Sequence, residues 1–276
     1  MRHAVEGCHE VYHVAAHYST RAQDAELMFA INVDGTHHVI SAAIEAGAEH
    51  IVYTSTIGTI GRRDDSGLPT EEDLYADVAG ASPYVRSKLA AEAWALGLGR
   101  EGAPVVVVNP CAPVGPGDIK PTSTGQRIVD YLQGQPPSFP PGGINFVAVE
   151  DVAQGHLLAA RRGRAGQRYI LGNAQGNLTI EGFFSLMERV SAVSRPRGGR
   201  NCGLSRLRRA LRRMLRGVGR AAPGRSTGRG LSLPDYRPRA LTADPSRAIR
   251  ELGLPQTPLE DAFRQAVTWF REGAYV

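Results

Sequence analysis

The residues of this chain best placed to do chemistry lie in SPYVRSKLAAE, positions 82–92, where Tyr84 precedes Lys88 by four residues. Lysine is scarce here: Lys120 is the only other one, against nine tyrosines. On a helix, positions i and i+4 share a face, so a phenol and an ammonium are brought together. A free phenol titrates near ~10, and a neighbouring ammonium favours the phenolate and lowers that value. A tyrosine tuned in this way can exchange a proton with a hydroxyl or carbonyl group of a substrate. The competing reading is a chance pair on a solvated helix, and context argues against it. Ser82 and Pro83 form a good helix opening, a capping hydroxyl followed by a residue with no N–H to lose. Upstream, the hydroxyls Thr54, Ser55 and Thr56 end an apolar run, and ligands of parallel sheets gather at the carboxyl ends of strands.

Three continuous β-branched runs can position these groups: VYHVAA (11–16), IVYTST (51–56) and VVVVNP (105–110). Continuous rather than alternating apolar character marks strands covered on both faces. Helical stretches at 30–48 and 83–99 separate them, and this strand–helix–strand order predicts a parallel α/β sheet. A looser alternation follows, with a strand at 145–149, a helix from about Asp151 to Arg161 and a strand at 168–171. The chain from Thr179 onward reads as mostly helical. Two regions are therefore expected: 1–175, an α/β region built on a parallel sheet, and 176–276, a small, mostly helical lobe.

At 276 residues the chain can bury a substantial core, and its 42% apolar and 21% charged content is that of a globular enzyme. No apolar run reaches the ~18–20 residues of a membrane span, and MRHAVEGCHE has charges where a signal peptide is apolar. A cytoplasmic location is expected. Cys8, Cys111 and Cys202 are odd in number and lack ligand spacing, so neither disulfides nor a metal site is implied. His9, His13 and His17 straddle a predicted strand, where residues four apart do not converge. His37 and His38 fit a solvated or half-buried helix face.

The chain resembles the extended short-chain dehydrogenases/reductases of the NAD-dependent epimerase/dehydratase group. Within that group it is most similar to hopanoid-associated sugar epimerases and dihydroflavonol 4-reductase-like proteins. The resemblance rests on VYHVAA, NVDGT (32–36), HIVYTST (50–56), YVRSK (84–88) and VVNPCAPVGPGDIKPTSTG (107–125), and continues through VEDVAQGH (149–156), YILG (169–172) and AVTWFREGAY (266–275). It implies a Rossmann-like fold, NAD or NADP as cofactor, and a sugar, nucleotide sugar or related hydroxyl/ketone substrate. It also implies roles for individual residues: Tyr84 as acid/base, Thr56 bonded to the reacting oxygen, and Lys88 on the nicotinamide ribose while lowering the tyrosine pKa. Ala15, Ala16, Asn32 and Pro110 would contact the cofactor, and Asn109 would face the substrate. Epimerisation and reduction use the same residues, and both stay open. Asp151 reads as structural, a helix N-cap. A second copy of the chain is a candidate partner.

A dinucleotide site also needs a glycine-rich turn after its first strand. The family places it before the segment corresponding to VYHVAA, which matches the family's fourth strand; by that analogy on the order of 65 residues precede it. The expectation is a start codon upstream of Met1 or a decayed gene, with VYHVAA left as an apolar sheet edge. The string GLGREG (97–102) has glycine-fingerprint spacing but follows a helix, so it reads as a helix stop. The alternative to an enzyme is a non-catalytic family member acting as a binding module.

Such a module would bind through its basic segment. From Arg195 to Arg229 there are twelve arginines and no acidic residue, which leaves −7 on the rest of a chain whose total is +5. LSRLRRALRRMLRGV (204–218) places Leu204, Leu207, Leu211, Met214 and Val218 on one helical stripe. The favoured reading is a lobe helix with solvated arginines. Binding of a phosphate-bearing substrate and contact with an anionic membrane remain alternatives. Nucleic acid is disfavoured because no aromatic interleaving accompanies the charge.

Overall fold

A computed structural model describes residues 1–63, 67–196 and 240–276. The helix expected at 204–218, Cys202 and most of the basic segment lie outside the described residues. Four parallel strands form the main sheet in the order β1–β2–β3–β6: β1 (Glu10–His13), β2 (His50–Thr54), β3 (Val105–Pro110) and β6 (Arg168–Leu171). A second sheet contains β4 (Ala112–Val114), β5 (Ile144–Ala148) and β7 (Asn177–Leu178), with β4 parallel and β7 antiparallel to β5. The expected strand at 145–149 thus exists but belongs to this second sheet. Fold class is as expected, α/β on a parallel sheet.

The β-branched runs are continuous because both faces of the main sheet are covered. Ile51, Tyr53, Val105 and Val107 pack with Ile40, Ala43, Ala91 and Ala95 on one face. These last four lie on helices α3 (Gly35–Glu45) and α4 (Pro83–Arg100). Val52, Val106 and Val108 face Ala159, Ala160 and Leu252 on the other side, where α6 (Val149–Arg162) lies. The alternation of 51, 53 against 52 is the period-2 pleat. Burying one such Val or Ile contributes about 1.5–3 kcal/mol.

The helix expected at 30–48 starts earlier and is not uniform. Helix α2 (Ala25–Phe29) runs through a π-turn, Ala30–Asp34, into α3. β1 stops at His13, so Val14, Ala15 and Ala16 form an exposed segment beyond the strand, three residues short of the expected end. Only β2 pairs with β1 among the described residues. Its residues are only half-buried until His13.

The lobe has its own core, in which Phe146, Phe183, Phe263, Phe270 and Tyr131 meet. It draws on α7 (Ile180–Ser191) and α8 (Leu259–Glu272), and equally on β4, β5 and α5 (Ser123–Leu132), which precede residue 176. Asp151 ties the two parts together. Ala148 holds the N-cap position of α6, and the Asp151 carboxylate instead accepts from Thr257 N (2.8 Å) and Thr257 Oγ1 (2.7 Å). The expected cap is therefore a cross-lobe latch. The string Gly97–Gly99–Gly102 closes α4. A β-carbon on Gly99 would lie 2.3 Å from Gly166 N, so that glycine serves close packing, as the rejected fingerprint requires.

Candidate active site

Because strands and helices run in opposite directions, α4 starts at the edge of the sheet where β2 and β3 end. Ser82 Oγ accepts from Val85 N and Pro83 occupies the first turn, which fixes this helix start as expected. Tyr84 and Lys88 then face the end of β2. Lys88 is 1% exposed. Its Nζ donates to Thr54 O at 2.7 Å and stands 4.4 Å over the Tyr53 ring. Burial pushes it down to about 8, while the Glu92 carboxylate acts in the opposite sense. Thr54 is locked from its other side by the 2.9 Å contact of Oγ1 with His156 Nε2. His156 Nδ1 lies 2.8 Å from Val152 O, so Nδ1 carries the proton and Nε2 accepts from the threonine.

Thr56 follows in extended backbone and caps a short turn, Ile57–Thr59, its Oγ1 accepting from Gly58 N at 3.2 Å. The Thr56 hydroxyl is also the neighbour that favours the Tyr84 phenolate. Burial, followed by the neighbouring Tyr18, pushes the Tyr84 phenol up to about 12, while the Thr56 bond opposes the rise. The expected lowering of this phenol by Lys88 is not what the structure shows. Desolvation wins, and the ammonium is directed to the Thr54 carbonyl. At neutral pH Tyr84 keeps its proton and stands ready as a donor.

Behind Thr56 lies a buried polar network. Asn109, fully buried, donates from Nδ2 to Thr56 O (3.2 Å), Thr59 Oγ1 (2.9 Å) and Glu92 Oε2 (2.8 Å). Glu92 Oε1 accepts from Arg168 Nη1 at 2.7 Å. Asn109 was expected to face a substrate; it faces inward and holds the backbone of Thr56. Asn32 has a similar fate. It is 1% exposed, and its amide accepts from His17 N (2.7 Å) and donates to His17 O (2.9 Å) and Ser87 Oγ (3.0 Å). It clamps the post-β1 segment to α4, a positioning role in place of open contact. Ala15 and Ala16 are exposed on that segment, and Pro110 is half-buried at the end of β3.

Sequence reasoning missed Tyr18, whose ring stands edge-on to Tyr84 at 4.9 Å and 81°. It also missed Glu92, though that residue continues the four-residue spacing of Tyr84 and Lys88 and could have been found by extending it. The three histidines have separate partners: His9 Nδ1 lies 3.3 Å from Glu49 Oε1, and His17 N donates to Asn32 Oδ1. His13 Nε2 meets Thr36 Oγ1 at 2.9 Å, and burial followed by the Lys88 charge pushes His13 down to about 4. Among the described residues no group of three His, Cys, Asp or Glu side chains could hold a metal ion.

The site fits one end of a dinucleotide better than the other. A buried ammonium, a phenol and two exposed alanines suit the nicotinamide ribose and ring. For the pyrophosphate, the one sequence string with the right glycine spacing is committed to helix packing.

The sequence profile of the NAD dependent epimerase/dehydratase family matches residues 1–172. A putative dihydroflavonol 4-reductase from Synechocystis is 36% identical over 99% of this chain and 79% of its own length. Sterol demethylase protein B from Methylococcus capsulatus is 33% identical over 99% of this chain and 81% of its own length. The crystal structure of gox2253 superposes on the whole chain and 82% of its own, with a TM-score of 0.80 and 32% identity. With the Tyr84–Lys88 face at the carboxyl ends of a parallel sheet, these matches establish that the chain belongs to the NAD-dependent epimerase/dehydratase family.

Proposed function

We propose that this chain is an NAD(P)-dependent oxidoreductase or epimerase acting on a hydroxyl or ketone carbon of a sugar, nucleotide sugar or related compound. One observation carries the reading: Tyr84 and a buried Lys88 lie four residues apart at the start of α4, with Lys88 Nζ bonded to Thr54 O at the carboxyl end of β2, two residues from the Thr56 hydroxyl. The nicotinamide, when bound, supplies the hydride donor or acceptor. Tyr84 gives its proton to the substrate oxygen, as carbonyl reduction requires, and takes it back in the reverse direction. Thr56 donates to the oxygen that changes charge. Lys88 holds the nicotinamide ribose, and Asn109 keeps Thr56 in place. Epimerisation passes through the same proton transfer, so both outcomes are compatible with these residues. Membership of the family and the reductase relative support the cofactor class.

The test is a titration with NADH and NADPH followed by nicotinamide fluorescence, joined to a turnover screen over nucleotide sugars and ketones. Tyr84→Phe and Thr56→Val should keep dinucleotide binding and lose turnover by roughly 10²- to 10⁴-fold, the usual weight of a proton-transfer group. No response to either dinucleotide refutes the proposal and leaves a binding module acting through the basic 195–229 segment.

A further inference from the structure

We propose that Glu92 is a positioning residue of the site, a single carboxylate that sets the Thr56 main chain through Thr59 and Asn109 and is itself held by Arg168. This deepens the function proposed above and rests on it. Glu92 follows Tyr84 and Lys88 on α4 at the same four-residue spacing, so the three share one helix face. It is 3% exposed, and both of its oxygens are engaged. Oε2 accepts from Thr59 Oγ1 at 2.7 Å and from Asn109 Nδ2 at 2.8 Å, while Oε1 accepts from Arg168 Nη1 at 2.7 Å. Arg168 is fixed in turn, its Nε donating to Glu71 O at 2.8 Å and its Nη2 to Asp73 O at 3.1 Å.

The Thr59 hydroxyl brings one proton to this cluster and the Asn109 amide brings two. The acceptors they meet are Glu92 Oε2, Thr59 Oγ1 and Thr56 O. The last lies 2.8 Å from Thr59 Oγ1 and 3.2 Å from Asn109 Nδ2. A carboxylate oxygen is the strongest acceptor of the three, so it orients both donors. Asn109 has no second anchor, because its Oδ1 has no hydrogen-bond partner among the described residues. Glutamine in place of Glu92 would turn its own amide donors onto Arg168 on one side or onto Thr59 and Asn109 on the other, and either way donor meets donor. Thr56 O also accepts from Thr59 N at 3.1 Å, so the short turn itself would survive the change. What would be lost is its setting against β3, and with it the aim of the Thr56 hydroxyl.

The same carboxylate acts on Lys88, one turn before it on the helix, and raises a lysine that burial lowers. The other titratable groups around the ammonium are neutral at pH 7. Burial pushes His13 down to about 4, Tyr84 up to about 12 and the Tyr53 phenol, whose ring lies under Lys88, up as well. Glu92 thus joins the residue assigned above to the substrate oxygen with the residue assigned to the ribose.

Glu92→Gln is tested first in a double-mutant cycle with Thr56→Val, read as kcat on a substrate from the turnover screen. Alone it should lower kcat roughly 10- to 100-fold, and in the Thr56→Val background by less than about 3-fold, since residues acting through one another are not additive. Equal losses in both backgrounds overturn the proposal. Two magnetic resonance readouts need no turnover. Lysine-selective ¹³C labelling gives two Cε signals, and Lys120→Arg assigns them. The Lys88 midpoint should fall by about one pH unit in Glu92→Gln while that of Lys120 stays. In ¹⁵N-labelled protein the Asn109 side-chain amide protons should exchange at least ~10-fold faster. Asp151→Asn, which loosens the Thr257 contacts outside this network, should change neither readout. Wild-type behaviour of Lys88 and Asn109 in Glu92→Gln, or the same changes in Asp151→Asn, also overturns the proposal. If Glu92→Gln does not fold, Thr59→Val decides, because it keeps the Glu92–Arg168 pair. It should speed Asn109 exchange and lower kcat only where Thr56 is present, and the opposite result refutes the role of Glu92. Without dinucleotide binding or turnover the oxidoreductase reading fails, and the Lys88 and Asn109 readouts decide the positioning of Thr56 by themselves.

Discussion

Replacing Lys88 by methionine tests whether the site holds a cation under electrostatic strain. The folded lysine titrates at about 8, against an ordinary 10.5, because burial outweighs the Glu92 carboxylate. That gap corresponds to about 3 kcal/mol of unfavourable charging, most of it imposed by desolvation. Its sign fixes a pH window. Below pH 8 both folded and unfolded lysines are protonated, and stability does not vary on this account. Between 8 and 10.5 the unfolded chain binds the extra proton, so stability rises with pH by up to about 1.4 kcal/mol per pH unit. From pH 7 to 9.5 the gain amounts to about 2 kcal/mol. The buried phenols Tyr53 and Tyr84 and the Cys111 thiol are raised and act in the opposite sense at high pH. They are common to both proteins and cancel in the difference. Urea unfolding at pH 7, 8, 9 and 9.5, followed by Trp94 and Trp269 fluorescence, measures the contrast. Lys88→Met should lack the wild-type rise by about 2 kcal/mol at pH 9.5. Parallel stability profiles for the two proteins would show that the lysine is not desolvated in the way its burial implies.

Four further substitutions probe the frame of the site. Gly97→Ala meets nothing within 4 Å and should gain up to about 1 kcal/mol of helix propensity, whereas Gly99→Ala collides with Gly166 and should lose about 1–3 kcal/mol. Their melting temperatures should therefore move in opposite directions, and a shared stabilisation would contradict the packing. Arg168→Met strands the buried Glu92 charge and should cost about 3–5 kcal/mol by chemical denaturation. A change within ±0.5 kcal/mol would mean the pair is hydrated. Asp151→Asn weakens the contacts to Thr257 N and Oγ1 and should cost about 1–3 kcal/mol. Hydrogen exchange at Thr257 should accelerate with it, and an unchanged exchange rate would deny the latch.

The strands at 51, 105 and 168 were legible because a sheet covered on both faces demands unbroken apolar runs, and Ser82-Pro83 announced the start of α4. The same continuity concealed other facts. A run such as Ile144–Ala148 looks alike whether it enters the main sheet or a second one. When both faces of a strand are buried, alternation no longer tells which way a polar residue points, so the inward turn of Asn109 could not be read. Asp151 shows a related ambiguity, since a carboxylate in a first helical turn can cap locally or reach across to Thr257. Tyr18 reaches Tyr84 from the loop after β1, where spacing along the chain carries no distance information.

The π-turn at Ala30–Asp34 makes the length of this segment matter more than its composition. A π-turn accommodates one residue more than the α-helix it interrupts. Deleting any one of these five residues would let the helix run straight from Ala25 to Glu45 with its two flanks still in register, so the side chains inside the turn would be re-aimed. Met28, wholly enclosed on the flank, would keep its packing, while Asn32, inside the turn, would be pulled from His17 and Ser87. The approach to Tyr84 would come loose without any catalytic side chain being altered. In a deep mutational scan, this stretch should therefore tolerate exchanges at its exposed positions yet reject single-codon deletions.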